Sequence, residues 1–191
     1  MAAYRDDAPL AYDGVAISLH WLLAALIFVA FFVGLIMADL PFSPLRFRLF
    51  NWHKWIGMTV LALSALRLVW RAGGHVPPPL PPATPAWQRS AYRGTHLVFY
   101  ALFFAVPLLG WAYTSAVGVP VVWLGLLPLP DFVPVDKAFG DEVLKPLHAF
   151  ASYALAAIVV FHVAAALKHQ FVDGDQLMSR MWPSRVDRET P

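Results

Sequence analysis

Residues 145–170 read K-P-L-H-A-F-A-S-Y-A-L-A-A-I-V-V-F-H-V-A-A-A-L-K-H-Q, and no residue between Pro146 and Leu167 is charged. A helix needs about 20 apolar residues to cross a bilayer, so this run is long enough. Yet it holds two histidines, His148 and His162, fourteen residues apart. On a helix that spacing falls about 40° short of four full turns and rises about 21 Å. Both imidazoles therefore share a face, one near each membrane surface. His169, seven residues further on, falls on that face too. Ionisable side chains inside a membrane helix mark functional sites. Two on one face suggest ligands for two cofactors stacked across the membrane.

Composition points to the same solvent. Of 191 residues, 59% are hydrophobic and only 14% charged, with mean hydropathy +0.59. Soluble domains carry about 25% charged residues. A net charge of +2 is too small to argue for a nucleic-acid partner. The absence of cysteine excludes disulfides, thiol chemistry, iron–sulfur clusters and covalently attached c-type haem. Residues 1–15 are polar and the apolar run after them is too long for a signal-peptide core, so no cleavable leader is expected.

Three further runs join the first, giving spans at about 15–38, 51–71, 94–117 and 146–168. The expected fold is all-α, a bundle of four transmembrane helices forming a single domain over 1–191. Pro41 and Pro44 break the chain after the first span, and the proline-rich stretch from Val76 to Pro85 reads as a stiff extended spacer. Pro107 should kink the third span. The stretch Val121–Leu127 is too short to cross and is expected at the interface. Four spans place both termini on one side. That side carries nine of the fourteen Lys and Arg residues and the other five, so both termini are expected in the cytoplasm.

With that topology the histidines sort by depth. His53 and His148 fall at the outer level, and His20, His96 and His162 at the cytoplasmic level. Facing imidazoles in a bundle core suit a b-type haem, which needs no covalent attachment. Zinc would require further ligands at each level. Depth alone does not decide whether His20 or His96 partners His162. Arg67, fourteen residues after His53, shares its face at the cytoplasmic level and is suited to grip a haem propionate, or to snorkel to headgroups. Gly57, one turn after His53, would let a flat macrocycle approach the backbone, though helix packing explains it equally.

The motifs S-L-H-W (18–21), N-W-H-K-W-I-G (51–57), R-L-V-W-R (67–71), G-T-H-L-V-F-Y (94–100), L-K-P-L-H (144–148) and F-H-V-A-A-A-L-K-H-Q-F (161–171) together resemble the bacterial cytochrome b561 family. The resemblance covers about residues 12–182. It implies a multi-pass protein of the bacterial inner membrane with two haem b groups. His20 and His162 would ligate the cytoplasmic haem, and His53 and His148 the periplasmic one. Superoxide-oxidase members oxidise superoxide at the periplasmic face and reduce ubiquinone. Lys54, Trp55 and the connection 118–144 depart from that pattern.

The expected function is transmembrane electron transfer between superoxide, or a periplasmic donor, and ubiquinone, with lipid as the surrounding partner. Lys145, three residues before His148, is the candidate to attract an anion, assisted by Lys54 and Lys137. His169 is the candidate to protonate quinone, with Ser18 and Trp21 as further quinone-site residues. One alternative is a cytochrome b subunit relaying electrons from a periplasmic dehydrogenase or hydrogenase. Another is a non-redox helical transporter or assembly protein, although transporter-like repeats and broken helix pairs are missing.

Overall fold

The computed structural model describes residues 11–75, 77–81, 84–174 and 177–182. Among these residues four helices are long and apolar enough to cross a membrane: α1 (Gly14–Asp39), α2 (Pro44–Ala72), α3 (Ala86–Ala116) and α4 (Lys137–Asp173). α1 packs on α2, α2 on α3 and α3 on α4. The all-α four-helix architecture is therefore the one expected.

Local chemistry sets where the helices begin. The Asp13 carboxylate caps α1 by accepting from the Ala16 amide at 2.9 Å. α2 starts ahead of the span expected from residue 51. Pro44, read as a breaker, stands in its first turn, where the missing N–H is no loss, and Ser43 Oγ accepts from the Arg46 amide at 3.3 Å. α3 likewise opens directly behind Pro85, ahead of residue 94, and keeps Pro107 in its interior.

α4 changes register twice. A single α-turn, Lys137–Phe139, leads into a π-helical turn at Gly140–Leu144, then regular α-helix over Lys145–Lys168. Pro146 has no N–H to give the Glu142 carbonyl, so the regular ladder is interrupted there and the wider turn precedes it. A second π-turn, His169–Asp173, closes the helix. Large apolar side chains such as Phe28, Phe150, Val160 and Phe161 point outward, as lipid-facing helices require.

Both described chain ends meet at one end of the bundle, here called the near end. The Tyr12 amide donates to the Arg180 carbonyl (3.2 Å), Trp21 Nε1 to the Met181 carbonyl (2.8 Å) and Arg180 Nη1 to the Pro79 carbonyl (2.8 Å). These bonds tie the short 3₁₀ helix Leu177–Met181 to α1 and to the described part of the proline-rich connection. Residues 76, 82 and 83 of that connection lie outside the described residues.

At the far end the stretch expected at the interface forms a small antiparallel hairpin, β1 (Val122–Trp123) and β2 (Leu127–Pro128). Its turn uses left-handed backbone at Leu124 (φ 55°) and Gly125 (φ 73°). Three bonds clamp it to α2: Lys54 Nζ to the Pro120 carbonyl (3.1 Å), Trp55 Nε1 to the Val122 carbonyl (2.7 Å), and Trp123 Nε1 to Thr59 Oγ1 (3.2 Å). Lys54 and Trp55 thus serve this connection, and the Lys54 ammonium is turned onto it.

Candidate functional site

The far level brings His53 of α2 to His148 of α4. Their ring centres lie 5.9 Å apart with planes at 90°. Each ring is fixed from behind. His53 Nδ1 donates to the Ala30 carbonyl of α1 at 3.0 Å, and His148 Nδ1 to the Val106 carbonyl of α3 at 2.9 Å. A carbonyl only accepts, so Nδ1 carries the proton and Nε2 keeps a free lone pair. Metal-bound histidines show this same arrangement, because the hydrogen bond orients the ring and strengthens its donor nitrogen.

The near level gathers three imidazoles. His162 lies 6.3 Å from His20, at 64°, and 6.1 Å from His96, at 87°. His96 Nδ1 donates to the Tyr92 carbonyl of its own helix at 2.7 Å. Among the described residues, no hydrogen bond holds the ring of His20 or His162. Distance therefore leaves both partners for His162 open, as depth did. Arg67 is close enough to act electrostatically on all three rings. Tyr12 and Tyr92 share a hydrogen bond between hydroxyls at 2.9 Å. Burial and that bond push the Tyr12 phenol well above its usual range.

These distances suit a haem. Two imidazoles bound through Nε2 to one metal, with bonds of about 2 Å, put their ring centres roughly 6 Å apart. Among the described residues, no three His, Asp or Glu side chains converge to hold a bare ion. Gly57, on the stripe His53–Gly57–Val60–Ser64–Arg67, has open space where a Cβ would stand. Further along that stripe Ser64 is fully buried and its hydroxyl has no partner among the described residues. Trp111 Nε1 and Ser115 Oγ, on the far half of α3, are buried donors in the same condition. The donor set and the space fit a macrocycle with polar substituents.

Sequence reasoning missed the supports of the far pair. Gly34 lies against His53 and Gly110 against His148, one turn beyond Ala30 and Val106. The only signal was a glycine inside each apolar span, which small-residue helix packing explains equally well.

The remaining candidates lie at the two ends. Lys145 is exposed at the far end, in the turn that leads to His148. His169, at the near end, pairs through Nδ1 with Asp173 at 3.1 Å, and Lys168 reaches the same carboxylate at 2.6 Å. Ser18 lines a shallow, mostly apolar depression with Asp13, Val15, Leu19, Trp70 and His75. Trp21 stands edge-on to His20, ring centres 5.4 Å apart, while its N–H is given to Met181.

The prokaryotic cytochrome b561 family matches residues 11–184. Cytochrome b561 homolog 2 of Escherichia coli K12 is 30% identical over 182 residues, 92% of this chain and 93% of that protein. A protein named probable superoxide oxidase CybB, from Yersinia pestis, is 28% identical over 91% of this chain and 97% of its own length. Cytochrome b561 homolog 1 of Escherichia coli K12 is 27% identical, with 91% and 98% covered.

Proposed function

Because the chain belongs to the prokaryotic cytochrome b561 family, whose members bind b-type haem and move electrons in bacterial membranes, we propose that it is a di-haem superoxide:quinone oxidoreductase of the inner membrane. Residues 1–191 act as one membrane unit with both termini in the cytoplasm. The observation that carries this reading is the pair of imidazole couples, His53/His148 and His20/His162, at iron-bridging distance on two levels. Haem bound at each level would supply a one-electron iron couple.

The chain's own residues do the rest. The exposed Lys145 ammonium raises the local concentration of an anion beside the far level, here taken as periplasmic. Two superoxide anions each give up one electron and leave as dioxygen. One ubiquinone takes both electrons and two protons at the near end. Arg67, whose charge reaches His162, would hold a haem propionate in the way guanidinium groups grip carboxylates. Gly57 would leave the backbone of α2 clear for the macrocycle. His169 hands a proton to a quinone oxygen and is resupplied through Asp173, which it contacts. Ser18 and Trp21 flank the ligand-bearing turn of α1 and complete the quinone wall.

The test uses the detergent-purified, haem-loaded protein mixed with superoxide and a short-chain ubiquinone. Superoxide should disappear faster than by spontaneous dismutation, with one quinol formed per two superoxide anions consumed. Intact haems that superoxide does not reduce would reject the superoxide step and favour a relay from a periplasmic dehydrogenase or hydrogenase.

A further inference from the structure

The far pair of imidazoles is held by one device built twice. On α1 the Ala30 carbonyl receives His53 Nδ1, and a Cβ placed on Gly34 would lie 3.1 Å from His53 Cε1. On α3 the Val106 carbonyl receives His148 Nδ1, and a Cβ on Gly110 would lie 3.1 Å from His148 Cε1 and 3.2 Å from Nδ1. In both, the carbonyl is at position n and the glycine at n+4, so they are neighbours on one helix face. The carbonyl at n already accepts from the amide at n+4, and the imidazole uses its second lone pair. Any side chain at n+4 would stand in the ring's path. Glycine inside a helix is unfavourable relative to alanine. Here that cost leaves room for an incoming ring. Gly94, on the same α3, differs: a Cβ added there would meet nothing within 4 Å, no histidine included.

We propose that Ala30–Gly34 and Val106–Gly110 are positioning pairs that fix the far imidazoles as crossed, Nδ1-protonated rings presenting Nε2 to one haem iron. This rests on the di-haem reading. A methyl at either glycine pushes its ring by a few tenths of an ångström and lengthens the Nδ1–H···O bond. That bond makes the bound imidazole more basic and favours ferric iron. Weakening it should raise the far haem's midpoint potential.

The experiment compares wild type, Gly34→Ala, Gly110→Ala and the control Gly94→Ala as haem-loaded protein, by optical redox titration and low-temperature EPR. In wild type the far haem should give the highly anisotropic low-spin signal of perpendicular imidazole planes. Gly34→Ala and Gly110→Ala should each shift that signal and raise that midpoint, or lose that haem alone. Gly94→Ala should leave both haems as in wild type. The proposal is overturned if both variants match Gly94→Ala. A wild-type far haem with the rhombic signal of parallel planes overturns it too, and this result needs no variant to fold. Wild-type protein lacking two haems would instead sink the di-haem reading on which the proposal stands.

Discussion

His53 and His148 approach from α2 and α4 to a ring separation of 5.9 Å with their planes perpendicular, each anchored to a carbonyl of the neighbouring helix. Neither helix could hold its ring in this way alone. The far level is thus assembled by all four spans: two supply the imidazoles and two orient them. That gives each ligand a separate, testable consequence.

His148→Ala removes one of the two imidazoles proposed to hold the far haem and should leave the near level intact. The purified variant should keep about half the wild-type haem and a reduced-minus-oxidised spectrum from the remaining centre. Pyridine haemochrome quantitation checks it. A full complement of haem in that variant would refute the assignment.

At the near level geometry allows two partners for His162, His20 at 6.3 Å and His96 at 6.1 Å. We expect His20→Ala to lose the near haem and His96→Ala to keep both. Haem content and EPR of the two variants decide the matter. The opposite pattern would make His96 the ligand.

The hairpin clamp predicts a local effect separable from haem binding. Trp55→Phe deletes the bond to the Val122 carbonyl while keeping an aromatic ring. One net hydrogen bond is about 1 kcal/mol, so cleavage of the 118–136 connection under limited proteolysis should rise roughly five-fold. The haem spectrum should not change. Equal cleavage rates would show that the clamp does not hold the connection.

Asp13 ties the start of α1 to α2. Desolvation opposes its ionisation, but the Ala16 amide and the Trp70 indole, with His75 nearby, hold its carboxyl below the usual value. A depressed carboxyl pKa contributes stability that is present above the unfolded-state pKa and is lost as pH falls through the folded-state one. Asp13→Ala should cost about 1 kcal/mol at neutral pH, as loss of a helix cap does. The gap from wild type should close on acidification below the normal carboxylate range. Thermal unfolding in detergent as a function of pH checks both, and a gap independent of pH would rule out the carboxylate.

Much of this was legible in the residues. Long apolar runs predict four spans, and fourteen-residue spacings put His148 and His162, or His53 and Arg67, on common faces at different depths. What stayed hidden depends on how helices turn toward one another. Gly34 reads as packing until His53 is seen against it, because interhelical rotation is not written in the spacing along one helix. Pro44 reads as a break and Pro85 as the end of a stiff spacer, since the fixed φ of proline that interrupts a helix interior also suits the first turn of the next. The hairpin at Val122–Pro128 carries no alternating pattern long enough to announce strands. The choice between His20 and His96 is settled neither by depth nor by distance.

The most direct measurement is the haem content and redox titration of wild-type protein purified from cells with ample haem supply. Two b-type haems per chain, resolving as two one-electron components, are the predicted result. A colourless preparation, or a single haem per chain, would contradict it.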